Sequence, residues 1–481
     1  MRGGVFRVFP VCRKKTRRMR MSVFSKINQA IFPGAKEYPK VGAGKMMLLG
    51  LQHAFAMSCA TILVPILTGL DVGVALFAAG LGTIIFHLCT RGRMPTFLGS
   101  SFAFIAALQA VIGGDKANIP KALGGIIVAG AFYVVLALLI KLFGNRFMDK
   151  LFPPVVRGVG IAIIGLNLAS AAINNIQANG VTTFTPAYYW SWGIALFVCL
   201  TAIILSSYGK GMVKMSSIVI ALAAGYVVTL ILVKTGLAPD SLMNLGAISQ
   251  HNWVEIPNFV LPVFDLKAIG MIAPIAIVTC VEHVGDVYAN GSVVGKDFTK
   301  NPGLHRTMLG DGLATMAAGF IGGPANTTYS ENTAVLAATG NYNPASLRLA
   351  AVIAMAVAFL GKVIGVVETV PNCVLGGACI VLYGMISSVG LRTLVENKVD
   401  FTKNRNLCIA AVMLVLAIGG AVIGGPAFQL SGIGLGILAG ILLNLILPAP
   451  KTQDAGLVAH GVNDDGVIEN PDEEHLLEEE K

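Results

Sequence analysis

This sequence is short of charge. Only 12% of its 481 residues are Asp, Glu, Lys or Arg, against 55% hydrophobic ones, and the mean hydropathy is +0.74. A water-facing domain carries about 25% charged residues, so soluble classes are excluded and lipid is the expected solvent. Ordered cysteine patterning is also missing. The eight cysteines (Cys12, Cys59, Cys89, Cys199, Cys280, Cys373, Cys379 and Cys408) are scattered without CxxC or ladder spacing, so neither a disulfide framework nor a metal is expected. No phosphate-cradling loop or nucleophile–base pattern occurs, which argues against an enzyme and against a cofactor. The opening "RVFPVCRKKTRRMR" lacks the continuous apolar core of a cleavable signal. It reads as part of a basic cytoplasmic tail, residues 1–44, or as residues ahead of a start at Met19 or Met21.

What is present is apolar sequence, from about Lys45 to Pro448, in runs near the roughly 20 residues that a spanning helix needs. The runs are too long and too uniformly apolar for barrel strands. The 56 glycines and 21 prolines are tolerated in membrane bundles where helices pack closely or break. An all-α polytopic membrane protein of 14 spans is therefore expected. Seven fall in residues 45–235 (46–68, 72–90, 99–112, 121–143, 154–173, 187–206, 215–235) and seven in residues 267–448 (267–289, 307–322, 329–340, 345–367, 372–391, 405–424, 430–448). Lys and Arg cluster after spans two, four, six, eight and twelve, as in "TRGR", "KLFGNRFMDK" and "VGKDFTKNPGLHR", with "GGDKANIPK" on the other side a mild exception, which places both termini in the cytoplasm. The net charge of +10 is thus explained by topology, and no nucleic-acid partner is expected. The connection 236–266 has no Lys or Arg and fits the outside. The segment 449–481 is acidic and cannot bury enough apolar surface to fold, so it reads as a disordered cytoplasmic tail.

The halves echo one another. "LQHAFAM" (Gln52, His53) matches "VEHVGDV" (Glu282, His283), "GLGT" at Gly80 matches "GLAT" at Gly312, and "PPVVRGVG" at Pro153 matches "PNCVLGGA" at Pro371. Pro95 precedes Phe102 by seven residues, as Pro324 precedes Glu331. An odd number of spans per copy makes the repeat inverted, and such transporters keep their site between matching broken helices at the midplane. The third and tenth spans read as short extended segments followed by half-helices, "LGSSF" then "AFIAALQAV" and "NTTYS" then "ENTAVLAATG". Ser, Thr and Asn before each helical run are expected to cap it. In the extended form Thr327, Tyr329 and Glu331 share one side, with Thr328 and Ser330 on the other.

Carboxylates inside spans cost about 2.5–3.5 kcal/mol each when left charged and unpaired, so function is their default reading. They are Glu282, Asp286, Asp311 and Glu331, with Glu368 near a span end and read as interfacial. Glu282 and Asp286 stand i, i+4 and share a helix face. A packing role and a site role both stay open for His283, and a structural ion pair and proton handling both stay open for Asp311. Glu331 opens a half-helix, where the dipole favours a negative charge, while Asn332 or Ser330 could cap the helix without one. Phe102, at the position matching Glu331, could stack a planar heterocycle.

At these residues the chain resembles the nucleobase:cation symporter-2, or nucleobase/ascorbate transporter, family. The resemblance rests on "LGSSFAFI", "VEHVGDV", "KDFTKNPGLHRTMLGDGLAT", "PANTTYSEN" and "LYGMISSVGLRTLVENKVDF", and runs from about Leu49 to Leu447, nearest to the bacterial uracil permease branch. It implies two inverted seven-span repeats with short strands at spans three and ten, core and gate domains interleaved across both repeats, a homodimer, and elevator-type movement in the cell membrane. It implies substrate contacts at Phe102, Glu282, Tyr329, Ser330, Glu331 and Tyr383. Pocket support or proton coupling is expected at Glu282, Asp286, Asp311, His53 and Asn332. The family signature is kept at Glu331, Asn332, Thr339 and Gly340, with Ala334 replacing an inner glycine. Asp286 stands where uracil permeases can carry His, and with Asp311 looks like xanthine or urate members, whereas Glu331 points to uracil.

The expected function is uracil uptake by proton symport. A xanthine or other purine symporter, proton- or sodium-coupled, is the alternative. An anion exchanger or channel on the same architecture belongs to a different class, and acid at both Glu282 and Glu331 argues against it.

Overall fold

The computed structural model describes residues 31–39, 41–144, 151–177, 185–425 and 428–448; most of the basic N-terminal segment and all of the acidic tail expected at 449–481 lie outside the described residues. Helix dominates, because in lipid each segment must satisfy its own backbone hydrogen bonds. In the first half these are α1 (Ala43–Thr68), α2 (Val72–Cys89), β1 (Leu98–Ser100), α3 (Ile105–Ile112), α4 (Ile119–Phe143), α5 (Pro154–Gln177), α6 (Pro186–Tyr208) and α7 (Ser217–Lys234). The second half has α8 (Leu266–Ile272), α9 (Ile275–Val294), α10 (Leu304–Ile321), β2 (Asn326–Thr328), α11 (Ser330–Thr339), α12 (Pro344–Val357), α13 (Gly361–Glu368), α14 (Asn372–Glu396) and α15 (Asn404–Ile418). It ends with a hairpin of β3 (Val422–Gly424) and β4 (Gln429–Ser431), followed by α16 (Gly432–Ile446).

Among the described residues, 8 helices or helix pairs are long and apolar enough to cross a membrane, and a ninth if the bent pair α12–α13 is one span. Three expected spans differ in detail. The eighth breaks into α8 and α9 at Pro274, the residue ahead of α9. The eleventh bends by 83° between α12 and α13, where the connection supplies a donor for the break, Glu255 N–H to Phe359 O at 3.0 Å. The thirteenth stops at Ile418, because Gly419–Gly420 turns the chain, with Gly420 at φ +67°, into the β3–β4 hairpin.

The helices pack in two groups. α1, α2, α4, α10 and α12 contact one another extensively, as do α5, α6, α7, α14, α15 and α16, while α9 touches both groups. Part of the expected N-terminal tail, residues 32–39, belongs to the first group. Glu37 pairs with Arg93 at 3.3 Å and accepts from Lys296 at 3.1 Å, the Arg348 guanidinium lies 4.1 Å over the Phe32 ring, and Asn343 Nδ2 donates to Pro39 O at 3.0 Å.

The connection 236–266 lies across the ends of the same group. Val263 N–H donates to Pro120 O at 2.8 Å and Asn258 N–H to Asp71 Oδ2 at 3.2 Å. His251 fixes its middle, with Nδ1 2.6 Å from Glu255 Oε1 and Nε2 3.1 Å from Glu368 Oε2. Glu368 is thus tied at a helix end. Bonds to carboxylates at both ring nitrogens need both N–H groups, so the imidazolium is favoured. The hydrogen bond to Glu255 holds the His251 pKa above 6.5, and the same bond holds Glu255 below 4.5, with the Asn252 N–H and the Lys362 charge adding to it. The His251 contribution is complete below pH 6.5 and lost as pH rises through its raised value; that of Glu255 is complete above pH 4.5 and lost as pH falls through its lowered value. Docking of the connection is therefore expected to be firmest between those limits. Amide exchange over residues 251–258 should run faster at pH 8.5 than at pH 5.5 once corrected for intrinsic rates; equal protection would refute the clamp.

Candidate functional site

The site is built on a crossing of two strands. β1 and β2 pair antiparallel with Leu98 opposite Thr328, Gly99 opposite Thr327 and Ser100 opposite Asn326. The ladder continues through Tyr329 N–H to Phe97 O at 3.0 Å and Ser101 N–H to Ala325 O at 2.9 Å. Extended backbone at this depth is thus paired within the protein, as it must be. The threonines of the two echoing motifs each brace the first residue of a strand. Leu98 N–H donates to Thr83 Oγ1 at 2.9 Å, and Thr315 Oγ1 donates to Asn326 O at 3.1 Å.

Antiparallel strands send their half-helices in opposite directions, so α3, entered through a 3-10 turn at Phe102–Phe104, and α11 both begin at the crossing. Their positive dipole ends converge there. The expected side-chain caps are absent at both starts. Asn332 Nδ2 instead donates to His53 O at 3.0 Å and lies 3.2 Å from its Nδ1, fastening α11 to α1. Helix N–H groups without a side-chain cap suit a polar or anionic ligand.

The expected alternation of side chains ends one residue early. Helix begins at Ser330, so Glu331 sits in the first turn of α11 and does not continue the pattern of Thr327 and Tyr329. Tyr329 is buried with its ring over Gly99, its hydroxyl donating to Ser100 O at 2.9 Å and accepting from Thr61 Oγ1 at 3.2 Å. Its side chain therefore supports the crossing. Ser330 is exposed at the start of α11.

α9 closes the site, packing against α11, β2 and the Phe102 turn. Glu282 and Asp286 are half-buried on it, and with Glu331 they lie close enough to feel one another's charge. The Thr328 hydroxyl donates to Asp286 Oδ2. Phe102, also half-buried, stands at the opposite half-helix start. The structure thus gathers Phe102, Glu282, Asp286 and Glu331, with His53 and Asn332 behind them.

Two further expected residues are held differently. Asp311 is fully buried and bound to His283, Oδ2 to Nδ1 at 2.9 Å, so for His283 the packed, hydrogen-bonded arrangement is the one seen. Tyr383 is buried on α14, which packs chiefly on α5 and α6, with the Cys379 thiol beside its hydroxyl, and among the described residues no hydrogen bond joins it to the carboxylates. Sequence reasoning missed Asn290, whose Nδ2 donates to Pro95 O at 2.7 Å and Thr333 Oγ1 at 3.2 Å. Its place one turn beyond Asp286 was the available signal, since a polar residue on an acidic helix face in a span asks for a partner. Among the described residues no group of His, Cys, Asp and Glu is disposed to hold a metal.

Residues 44–424 match the family model described as "Permease family". The uracil permease of Bacillus caldolyticus is 42% identical over 414 residues, 84% of this chain and 92% of that protein. Those of Bacillus subtilis (strain 168) and Escherichia coli (strain K12) are 40% and 33% identical, over 84% and 83% of this chain and 93% and 90% of theirs. The fold is shared with the murine Solute Carrier 26 family member A9 anion transporter in its inward-facing state, with a TM-score of 0.62 at 14% identity, covering 90% of this chain and 73% of that one. It is also shared with the transmembrane domain of the cyanobacterial bicarbonate transporter BicA, with a TM-score of 0.57 at 15% identity, covering 83% of this chain and 96% of that one. With the motifs, the strand crossing and these relatives in agreement, the chain belongs to the nucleobase:cation symporter-2 family of membrane permeases.

Proposed function

We propose that this permease takes up uracil together with a proton. The observation that carries the reading is the convergence of Glu282 from α9 and Glu331 from α11 at the strand crossing, facing a site that Phe102 also borders. Uracil offers ring N–H donors and carbonyl acceptors. An ionised carboxylate accepts from the first and a protonated one donates to the second. The ring would stack on Phe102, with helix-start N–H groups nearby for a carbonyl. The uracil permeases at 33–42% identity support the same substrate.

Protonation on the Glu282/Asp286 face would remove charge from a body that has to move within lipid, coupling proton to substrate. The two packing groups would serve as core and gate, in 14 spans of two inverted repeats, with elevator-type movement of the core, both termini cytoplasmic and a homodimer in the cell membrane. The solved structures that share the fold are of an anion transporter and a bicarbonate transporter, yet a site with two carboxylates repels an anion.

Membrane vesicles with an imposed inward proton gradient should accumulate labelled uracil, collapse of the gradient should stop it, and excess uracil should compete better than xanthine. Uptake driven by sodium alone, or stronger competition by xanthine, would overturn the corresponding part of the reading.

A further inference from the structure

The last part of the connection between α7 and α8, residues 252–266, is mostly apolar, and the protein leaves those side chains uncovered. Trp253, Val254, Ile256, Leu261, Phe264 and Leu266 are between 61% and 79% exposed. A contiguous apolar surface of this kind is rare where water is the neighbour. The two acids of the same stretch are engaged within the protein. Glu255 is held by His251 and by the Asn252 N–H at 3.2 Å, and Asp265 accepts the Ala268 N–H at 2.8 Å to cap α8. The neighbouring α13 repeats the pattern. Lys362 donates to Ile248 O at 2.9 Å and Glu368 is bound to His251, while Val363 and Val366 are exposed and Gly361, Ile364 and Gly365 are buried. Charge is thus spent inward and apolar surface is shown outward.

The fold fixes the level of this surface. α12 packs along α1 and α2, which are long and apolar enough to span, and α13 turns 83° away from α12, so it lies across the spans and close to the membrane plane. On α4, Val135, Leu138 and Leu142 are exposed, but residues 122–127 are buried. Val263 lies there, its carbonyl against Gly124 and its N–H donating to Pro120 O at 2.8 Å. The connection covers that end of α4 and offers its own apolar side chains in exchange. Lys267, exposed beside Leu266, fits the headgroup level, where a long cationic side chain reaches phosphate.

We infer that residues 253–266 and the Val363/Val366 side of α13 form one interfacial surface, seated in the headgroup and upper acyl layer of the phospholipid leaflet on that side of the membrane. In the orientation proposed above this is the outer leaflet; the inference itself depends neither on sidedness nor on the substrate. The surface is fastened to the group that braces the strand crossing, through Asn258 N–H to Asp71, Val263 N–H to Pro120 and Glu255 N–H to Phe359. The start of the same connection belongs elsewhere, since Met243 is packed with Trp190 and Leu230 of the second group. An apolar face in the interface resists being drawn into water, and its inward charges resist the acyl core. The surface therefore sets the depth at which the first group rests.

The test is fluorescence quenching of Trp253 in the full chain, held in phosphatidylcholine–phosphatidylglycerol nanodiscs so that both faces are open to solution. Trp190→Phe with Trp192→Phe leaves Trp253 as the one tryptophan. Where that pair does not fold, the difference between the native chain and Trp253→Phe gives the same quantity. Acrylamide in the water should quench Trp253 about threefold or more weakly than it quenches free N-acetyltryptophanamide. Lipids brominated near the headgroup end of the acyl chain should quench it more than lipids brominated near the chain terminus. Phe264→Trp, placed on Trp253→Phe, should behave alike. Acrylamide quenching equal to that of the free indole, with no bromine effect, overturns the inference by placing the stretch in water. Quenching by neither agent overturns it too, because a second copy of the chain would then cover the surface. A shielded Trp253 beside a water-exposed Trp at residue 264 overturns the single surface.

Discussion

Replacing Glu282 with glutamine is expected to flatten the pH dependence of uracil uptake and lower gradient-driven accumulation by about 100-fold or more, the order of loss that follows when a charge-assisted hydrogen bond to the substrate is removed. Glutamine keeps the shape and one acceptor oxygen, so it can still touch a ring N–H. What it cannot do is exchange a proton. The prediction therefore separates two readouts. Accumulation against a gradient should collapse, while exchange of labelled for unlabelled uracil at equal concentrations should survive at reduced affinity. Glu282 is the group to test because it lies within electrostatic reach of both Asp311 and Glu331, and Asp286, one turn away, is already engaged by Thr328. Proton-driven accumulation that persists in the variant would remove Glu282 from the coupling role.

Adding a single methyl group at Gly99 should be nearly as damaging. A Cβ there would lie 2.4 Å from two ring atoms of Tyr329 and 2.7 Å from Thr61 Oγ1. The ring cannot swing aside cheaply, because its hydroxyl is bonded to Ser100 O and Thr61 and the backbone N–H of Tyr329 donates to Phe97 O. Overpacking of this kind costs about 1–3 kcal/mol. The larger effect is on placement: the displaced residue is two before Glu331, and a shift of about 1 Å in a reacting or binding group can cost a factor on the order of 100. Gly99→Ala is thus expected to reach the membrane but to lose about tenfold to 100-fold in uracil uptake. The loss should shrink when Tyr329 is also changed to Leu; an equal loss in both backgrounds would rule out the steric explanation.

The apolar segments and the broken third and tenth spans were readable because they depend on local sequence. Long apolar runs declare themselves in hydropathy. The equal offset from Pro95 to Phe102 and from Pro324 to Glu331 marks the strand–helix junctions in the sequence itself, and Glu282, Asp286 and Glu331 stand out because carboxylates in spans are rare. Partnerships were not readable. Thr328 reaches Asp286 across 42 residues, Asn332 reaches His53 across 279 and Asn290 reaches Pro95 across 195, and nothing in either member of such a pair names the other. The break between α12 and α13 was hidden too, since no proline or glycine stands at Ala358–Leu360 and the donor for its carbonyl comes from the distant Glu255. Glycine misled at the thirteenth span, where Gly419 and Gly420 read as membrane-tolerated residues and instead turn the chain into a hairpin.

The strand crossing also decides where a barrier to the substrate can sit. Both half-helices are sewn together by the backbone ladder between residues 97–101 and 325–329. A pocket with such a floor cannot open like a clamshell, because parting its halves would strip N–H and C=O groups of their partners at a depth where water cannot replace them. Whatever blocks the way in or out must therefore belong to neighbouring helices. Under the elevator-type movement proposed above, access to either side of the membrane would become a matter of which wall the intact floor faces.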